Sequence, residues 1–318
     1  MKILFVDTVH PILESSLKQK GYHCIDGSKM TRQELMENVS SCEGVVIRSR
    51  IRIDKNFLEA APRLKFIARA GAGMENIDTD VANKMGVICL NAPEGNRDAV
   101  GEQAIAMLLS LLNNLGRADT EVRSGIWKRE ENRGHELKGK TVALIGYGNT
   151  GRSFAKKLSG FDCNVLACDQ YIFGFSSVYA KEASMQEIYE KADILSLHVP
   201  LTDETEFMVN ENFLRNFQKN ILLINTSRGK CVRTDDLVRQ MKEGKVLGAC
   251  LDVLEYEDLS FEKFDLQHVK LENSDTWQYL INSDRVILTP HIAGWTFESH
   301  KRISEVLLQK IEALELDN

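Results

Sequence analysis

The chain has 318 residues, 43% of them apolar, and a formal net charge of -6, which suits roughly two ordinary globular domains. That balance argues against a nucleic-acid binder, because no basic stripe is present to neutralise phosphates, and no apolar stretch is long enough to cross a bilayer. Seven cysteines, an odd number with no C-x-x-C pair, argue against disulfides or a metal site; all seven are expected to be small buried hydrophobes in a reducing cytoplasm.

The opening MKILFVD is too short for a signal peptide and reads as a first strand. Strand-like segments at 3–6, 44–47 and 65–68 alternate with helix-like ones at 12–20 and after Thr31, which with Glu34 makes a capping box for a helix through Val39. Such alternation predicts a parallel sheet with helices on both faces. Strand ends in these sheets face ligand crevices, so the residues after each strand carry the most information. Here they are Arg48-Ser49-Arg50, then Arg69-Ala70-Gly71-Ala72-Gly73. The second group sets the backbone N–H groups of a glycine loop beside a cation, which suits a carboxylate or phosphate oxygen.

Residues 96–112 are apolar nearly all round (Ala104, Ile105, Met107, Leu108, Leu109, Leu111, Leu112) and predict a buried helix leading from one domain into the next. Residues 116–137 are more polar, with Trp127 isolated among charges, and read as an arm that embraces a second subunit.

KTVALIGYGNTG (residues 140–151) follows. A strand at 141–145 runs into Gly146-x-Gly148-x-x-Gly151 and then a helix at 152–158, the context a dinucleotide fingerprint requires. Gly146 allows the tight turn, Gly148 lets a pyrophosphate approach the backbone and Gly151 lets helix and strand pack closely. The helix start offers N–H groups and a positive dipole end. The next strand, 164–168, ends at Asp169, whose carboxylate can accept hydrogen bonds from ribose hydroxyls and repels a 2′-phosphate. NAD is therefore expected over NADP, and Gln170 brings no cation to reverse that.

Ser184 with Glu187 caps a helix, and strands at 193–197, 221–224, 246–251 and 286–288 precede a last helix at 298–314. The tract 258–283 gives no clear pattern. Three residues after these strands suit hydride exchange at a hydroxyl-bearing carbon. Arg228 can hold an α-carboxylate bidentately, next to Gly229 read as a flexible residue. His291 can carry the proton, and Glu257 can orient its imidazole. Parallel strands deliver all three to one edge of the sheet.

RAGAGMENID (69–78), the fingerprint, HVPLTDET (198–205), NTSRG (225–229), GACLDVLEYE (248–257) and TPHIAG (289–294) resemble, in order and over nearly the whole chain, the D-isomer-specific 2-hydroxyacid dehydrogenases. The resemblance implies an α/β fold of two doubly wound parallel-sheet domains, a Rossmann NAD-binding domain (96–289) inserted into a flavodoxin-like substrate domain (1–95 plus 290–318), with the active site between them. It gives catalytic roles to Arg228, Glu257 and His291. Cofactor contacts fall to Gly146, Gly148, Asn149, Thr150, Gly151, Asp169, His198, Val199, Pro200, Thr205, Thr226, Ser227, Asp252, Ala293 and Gly294. Substrate contacts fall to Arg69, Ala70, Gly71, Ala72 and Gly73.

VIRSR (46–50), NAPEGNRDAVGE (91–102) and GIWKR followed by ELKGKT look most like members acting on a phosphorylated 2-hydroxy acid, and put Arg48, Ser49 and Asn96 at its phosphate end. The implied reaction is oxidation of 3-phospho-D-glycerate with NAD in serine biosynthesis. Glyoxylate or hydroxypyruvate reduction is the alternative, and an NAD-sensing corepressor-like protein a remoter one. A homodimer through the NAD-binding domain is implied, with no metal, nucleic acid or membrane. The chain ends soon after its last helix, which leaves no expected room for the family's regulatory domain. It departs from the family's pattern at Asp258, usually proline, in the length of the tract that follows, and at Trp295, usually small.

Overall fold

The computed structural model describes residues 1–257 and 274–314. They form two compact units, one of residues 1–97 and 295–314, the other of 98–257 and 274–294. The return crossing falls after Gly294, whereas the sequence reading put it before Pro290; His291 thus stays in the unit that holds Glu257.

The first unit carries strands β1 (Lys2–Phe5), β2 (His23–Asp26), β3 (Gly44–Ile47), β4 (Phe66–Arg69) and β5 (Ile88–Leu90) in one parallel sheet of order β2-β1-β3-β4-β5. Helices α1 (Pro11–Gln19), α2 (Arg32–Val39), α3 (Lys55–Glu59) and α4 (Thr79–Lys84) connect the strands. Side chains of a strand point alternately to its two faces. Leu4, Val45, Ile47 and Ile67 accordingly join one core, and Ile3, Phe5, Val46, Phe66 and Ala68 the other. The Thr31–Glu34 capping box is present at α2.

Helix α5 (Pro93–Leu112) begins in this unit, on a proline whose missing N–H costs a first turn nothing. It is not buried all round: Arg97, Glu102 and Ala106 stay exposed on one side. At Gly95 an added Cβ would lie 2.6 Å from the backbone of Ile303, so glycine lets α5 meet the last helix of the chain.

The second unit has seven parallel strands: β6 (Thr141–Ile145), β7 (Asn164–Cys168), β8 (Lys181–Glu182), β9 (Ile194–Leu197), β10 (Ile221–Asn225), β11 (Val246–Leu251) and β12 (Val286–Leu288). Their order is β12-β11-β10-β9-β6-β7-β8. Around them lie α6 (Leu115–Arg123), α7 (Asn149–Leu158), α8 (Met185–Lys191), α9 (Glu211–Arg215), α10 (Thr234–Lys242) and α11 (Ser274–Asn282). The last helix, α12 (Phe297–Glu312), belongs to the first unit. Both strand orders are doubly wound, the first flavodoxin-like and the second Rossmann-like. Each has one point where the order reverses: between β1 and β3 in the first sheet, between β6 and β9 in the second.

Of the tract left unassigned by sequence, 274–282 is α11, and 258–273 lie outside the described residues. All seven cysteines are free thiols, but only Cys42, Cys231 and Cys250 are buried. Cys24 and Cys89 sit in β2 and β5, at the edges of their sheet, where a side chain has neighbours on fewer sides. Cys163 precedes β7 and Cys168 ends it, and both are partly exposed. Among the described residues no helix is long and apolar enough to cross a membrane, and no group of His, Cys, Asp and Glu could hold a metal.

Candidate functional site

The reversal point of the second sheet lies at the fingerprint. At Gly146, with φ of 93°, a Cβ would stand 2.3 Å from the carbonyl oxygen of His198, and at Gly151 one would stand 2.3 Å from that of Gly146. Gly148 has open space around it, and as N-cap of α7 it gives the first-turn N–H groups of Asn149, Thr150 and Gly151 no side-chain partner. These features fit a pyrophosphate, which would take up the N–H groups and approach over Gly148.

Asp169 follows β7 as expected, and the backbone already holds it. One oxygen accepts the N–H of Tyr147 at 2.7 Å, the other those of Tyr171 at 2.9 Å and Ile172 at 3.0 Å. A carboxylate has about four acceptor positions, so roughly one remains for a ribose hydroxyl.

His198, directly after β9, is buried beside Phe154, with Nε2 3.0 Å from Ser196 Oγ and Nδ1 3.3 Å from Thr150 Oγ1. It couples β9 to the start of α7. Val199 and Pro200 are progressively more exposed, and the Thr205 hydroxyl closes the following turn by donating to the Pro200 carbonyl at 2.7 Å.

The proposed catalytic residues stand on the loops after β10, β11 and β12. Asn225, at the end of β10, folds its loop: Oδ1 accepts from Ser227 N–H at 3.1 Å and Ser227 Oγ at 2.9 Å, and Nδ2 donates to the Arg228 carbonyl at 3.0 Å. Arg228 Nη1 donates to the Ser227 carbonyl at 2.7 Å. The Thr226 hydroxyl oxygen is buried without a hydrogen-bond partner. Gly229 serves close approach rather than flexibility, since a Cβ there would lie 1.9 Å from the Leu254 carbonyl oxygen. Only glycine lets the Arg228 loop touch the loop that bears Glu257.

One Glu257 oxygen accepts the N–H of Leu254, and the other lies 2.6 Å from His291 Nδ1. An ionised carboxylate only accepts, so Nδ1 carries the proton of this pair and Nε2 is the ring's other nitrogen at which a proton can be exchanged. His291 has φ of 54°, a left-handed conformation that costs an ordinary residue about 1–2 kcal/mol. Asp252 holds it there. Its carbonyl accepts the His291 N–H at 2.7 Å, and its buried carboxylate accepts from Thr289 Oγ1 at 2.5 Å and from the N–H groups of Ile292 and Ala293 at 2.9 Å each. Asp252, given to the cofactor from sequence, therefore spends about three of its four acceptor positions on this loop, which runs on to the partly buried Gly294.

In the first unit the reversal point sets the loop after β1 beside the loop after β3. Asp7, which sequence reading did not single out, joins them: its Oδ2 accepts the N–H groups of Arg48 at 2.6 Å, Ser49 at 3.1 Å and Arg50 at 3.4 Å. Its signal was the same as that of Asp169, an acid ending an apolar strand. Arg50 is committed to structure, donating to the carbonyls of Val6, Gly27 and Met30. Arg48 instead lies over the ring of Trp295, 4.7 Å from its centroid.

Arg69 is buried against the glycine loop, where a Cβ on Gly71 would meet its Nη1 at 1.5 Å. That loop is pinned by Ala70 N–H to the Ile47 carbonyl at 2.7 Å, by Ala92 N–H to the Gly71 carbonyl at 2.8 Å and by Asn91 Nδ2 to the Ala72 carbonyl at 2.6 Å, before Gly73 emerges partly exposed. Asn96, on α5, has a buried Oδ1 without a hydrogen-bond partner.

A Rossmann-like sheet with this fingerprint, an uncapped helix start and an acid after the next strand defines a dinucleotide-binding protein. Residues 105–293 match the NAD binding domain of the D-isomer specific 2-hydroxyacid dehydrogenases. A glyoxylate reductase from Thermofilum pendens is 35% identical over 89% of this chain and 81% of its own length. A D-3-phosphoglycerate dehydrogenase from Archaeoglobus fulgidus is 31% identical over 98% of this chain but 56% of its own, so the chain spans about half of that relative. The solved D-lactate dehydrogenase from Aquifex aeolicus, complexed with NAD and lactic acid, superposes with a TM-score of 0.81 at 28% identity, covering 98% of this chain and 95% of that one. The chain belongs to the D-isomer-specific 2-hydroxyacid dehydrogenases, and its cofactor is NAD.

Burial lowers the His198 pKa from 6.5 to about 3. Between those values the unfolded chain binds a proton that the native one refuses, so stability is complete above about pH 6.5 and falls by about 1.4 kcal/mol per pH unit below it. His198→Gln removes this dependence. Urea unfolding at about pH 7 and pH 5 should show wild type losing about 2 kcal/mol more than the variant; equal losses would place the imidazole in contact with water.

Proposed function

We propose that this chain oxidises 3-phospho-D-glycerate to 3-phosphohydroxypyruvate with NAD, a step toward serine, in the reducing cytoplasm that seven free thiols suit. The observation that carries this reading is the carboxylate-held loop of the first unit, which presents Arg48 and Ser49, and the second unit by itself supplies an imidazole seated on Glu257. A phosphate needs cations that a lactate-sized acid does not.

Bound NAD supplies the hydride acceptor. Arg228 grips the α-carboxylate through its planar fork and fixes the orientation of the reacting carbon. His291 Nε2 takes the proton of the 2-hydroxyl, and returns it when the carbonyl is reduced. Glu257, hydrogen-bonded to Nδ1, sets the ring and stabilises the imidazolium that forms. Asp252 keeps the strained His291 backbone from relaxing out of place. Arg69 and the loop from Ala70 to Gly73, with Asn96 on α5, supply further polar contacts for the substrate.

Reduction of glyoxylate or hydroxypyruvate is the second reading, supported by the Thermofilum pendens glyoxylate reductase, of whose length this chain covers 81%. A homodimer through the NAD-binding unit is supported by the apolar side chains that α6 and the following residues expose: Leu115, Val122, Ile126 and Trp127.

His291→Asn should lower kcat about 10²- to 10⁴-fold with NAD binding retained, and a variant as fast as wild type would exclude it as proton carrier. Arg48→Gln should raise KM for 3-phospho-D-glycerate about ten- to hundredfold and leave KM for hydroxypyruvate nearly unchanged; equal effects on both refute the phosphorylated substrate. A wild type that produces no NADH from any D-2-hydroxy acid refutes the enzyme. Sedimentation should find a dimer that Trp127→Glu weakens, and a wild-type monomer at micromolar concentration counts against the arm.

A further inference from the structure

Four side chains meet in the first unit around the point where its strand order reverses. Arg48 follows β3, His10 ends the loop after β1, and Trp295 and His300 flank the start of α12. The Arg48 guanidinium lies over the Trp295 ring at 4.7 Å, the Trp295 and His300 rings are 5.6 Å apart, and the His300 and His10 rings meet edge to face at 5.6 Å. His10 Nδ1 accepts the N–H of Ile12 at the start of α1, so its proton is on Nε2. His300 Nε2 is buried and has no hydrogen-bond partner. A buried polar atom left without a partner is costly, which marks it as a position for a ligand's donor or acceptor.

The proposed role of Arg48 as the phosphate end of the site is the premise here. On it, we propose that Trp295 and His300 tune Arg48 for a doubly charged distal group: Trp295 holds the guanidinium by its face, and His300 takes up a proton as the dianion binds. Stacking uses the face of a guanidinium, whereas its N–H fork lies in the plane, so a stacked arginine still presents an edge to an oxyanion. Indole thereby fixes the direction of the fork and removes rotamers that binding would otherwise have to freeze.

Burial first, then His10 and Arg48, hold the His300 imidazole below its ordinary pKa, so it is largely uncharged at neutral pH. These two are the charged or titratable groups that act on it among the described residues. A second positive charge beside Arg48 is unfavourable. A dianion reverses that balance and draws a proton from solvent onto Nε2, where an uncharged distal group does not.

The test reads binding rather than turnover. Calorimetric titration of the NAD-loaded chain with 3-phospho-D-glycerate and with D-glycerate, in buffers of different ionisation enthalpy and between about pH 5 and 8, gives affinity and proton uptake together. Wild type should bind the phosphorylated acid with proton uptake that His300→Gln abolishes, and this comparison cancels the phosphate's own titration. Trp295→Ala should weaken phosphorylated-acid binding about two- to fivefold, Trp295→Phe should restore it, and neither should alter D-glycerate.

The proposal is overturned if wild type binds the two acids equally, if the variants shift both alike, or if proton uptake survives in His300→Gln. Binding with these signatures but without NADH formation would refute the proposed reaction and not the cluster. Turnover with unselective variants would refute the cluster and not the reaction.

Discussion

In the second unit, the loop that carries His291 hangs on one buried carboxylate. Asp252 gathers a hydroxyl and two backbone N–H groups from the loop after β12, and its carbonyl takes a third N–H from His291. That many bonds outweigh the left-handed φ that His291 would not otherwise adopt. The imidazole then has a defined origin, and Glu257 needs only to fix its rotation. The same unit shows the principle at Asp169, which is anchored by three N–H groups before any ribose arrives. In both places the groups given to ligand binding are first of all parts of the backbone's own hydrogen-bonding scheme.

Much of this was legible in the amino-acid order. Alternation of short apolar runs with helical stretches is dictated by the two periodicities of side chains, so the parallel sheets could be read locally. The fingerprint is local too, because the turn, the close approach and the helix start fall within six residues. Arg228, Glu257 and His291 were singled out because each lies in the loop after a strand, and a parallel sheet sends those ends to one edge.

What could not be read were contacts between segments distant in the chain. Asp7 meets its three N–H groups more than forty residues away, and no spacing rule links an acid after one strand to a loop after another. Gly229 looked like a source of flexibility because its neighbour, the Leu254 carbonyl, belongs to a different loop. The exposed stripe of α5 was missed because two of its members, Arg97 and Glu102, precede the apolar run 104–112 from which the helix was judged. Cys24 and Cys89 were taken as buried because a strand's central or edge position depends on the sheet order, which composition does not carry.

Asp7 grips the main chain of residues 48–50 and none of their side chains except that of Arg50. Asp7 thus holds the course of that loop through main-chain N–H groups, which every residue but proline would offer at 48. On the proposed role of Arg48, the scaffold separates where a recognition group is placed from which group it is, so a single codon could exchange one specificity for another while the supporting architecture stays intact. Divergence of a family over many 2-hydroxy acids is the outcome such a division of labour permits.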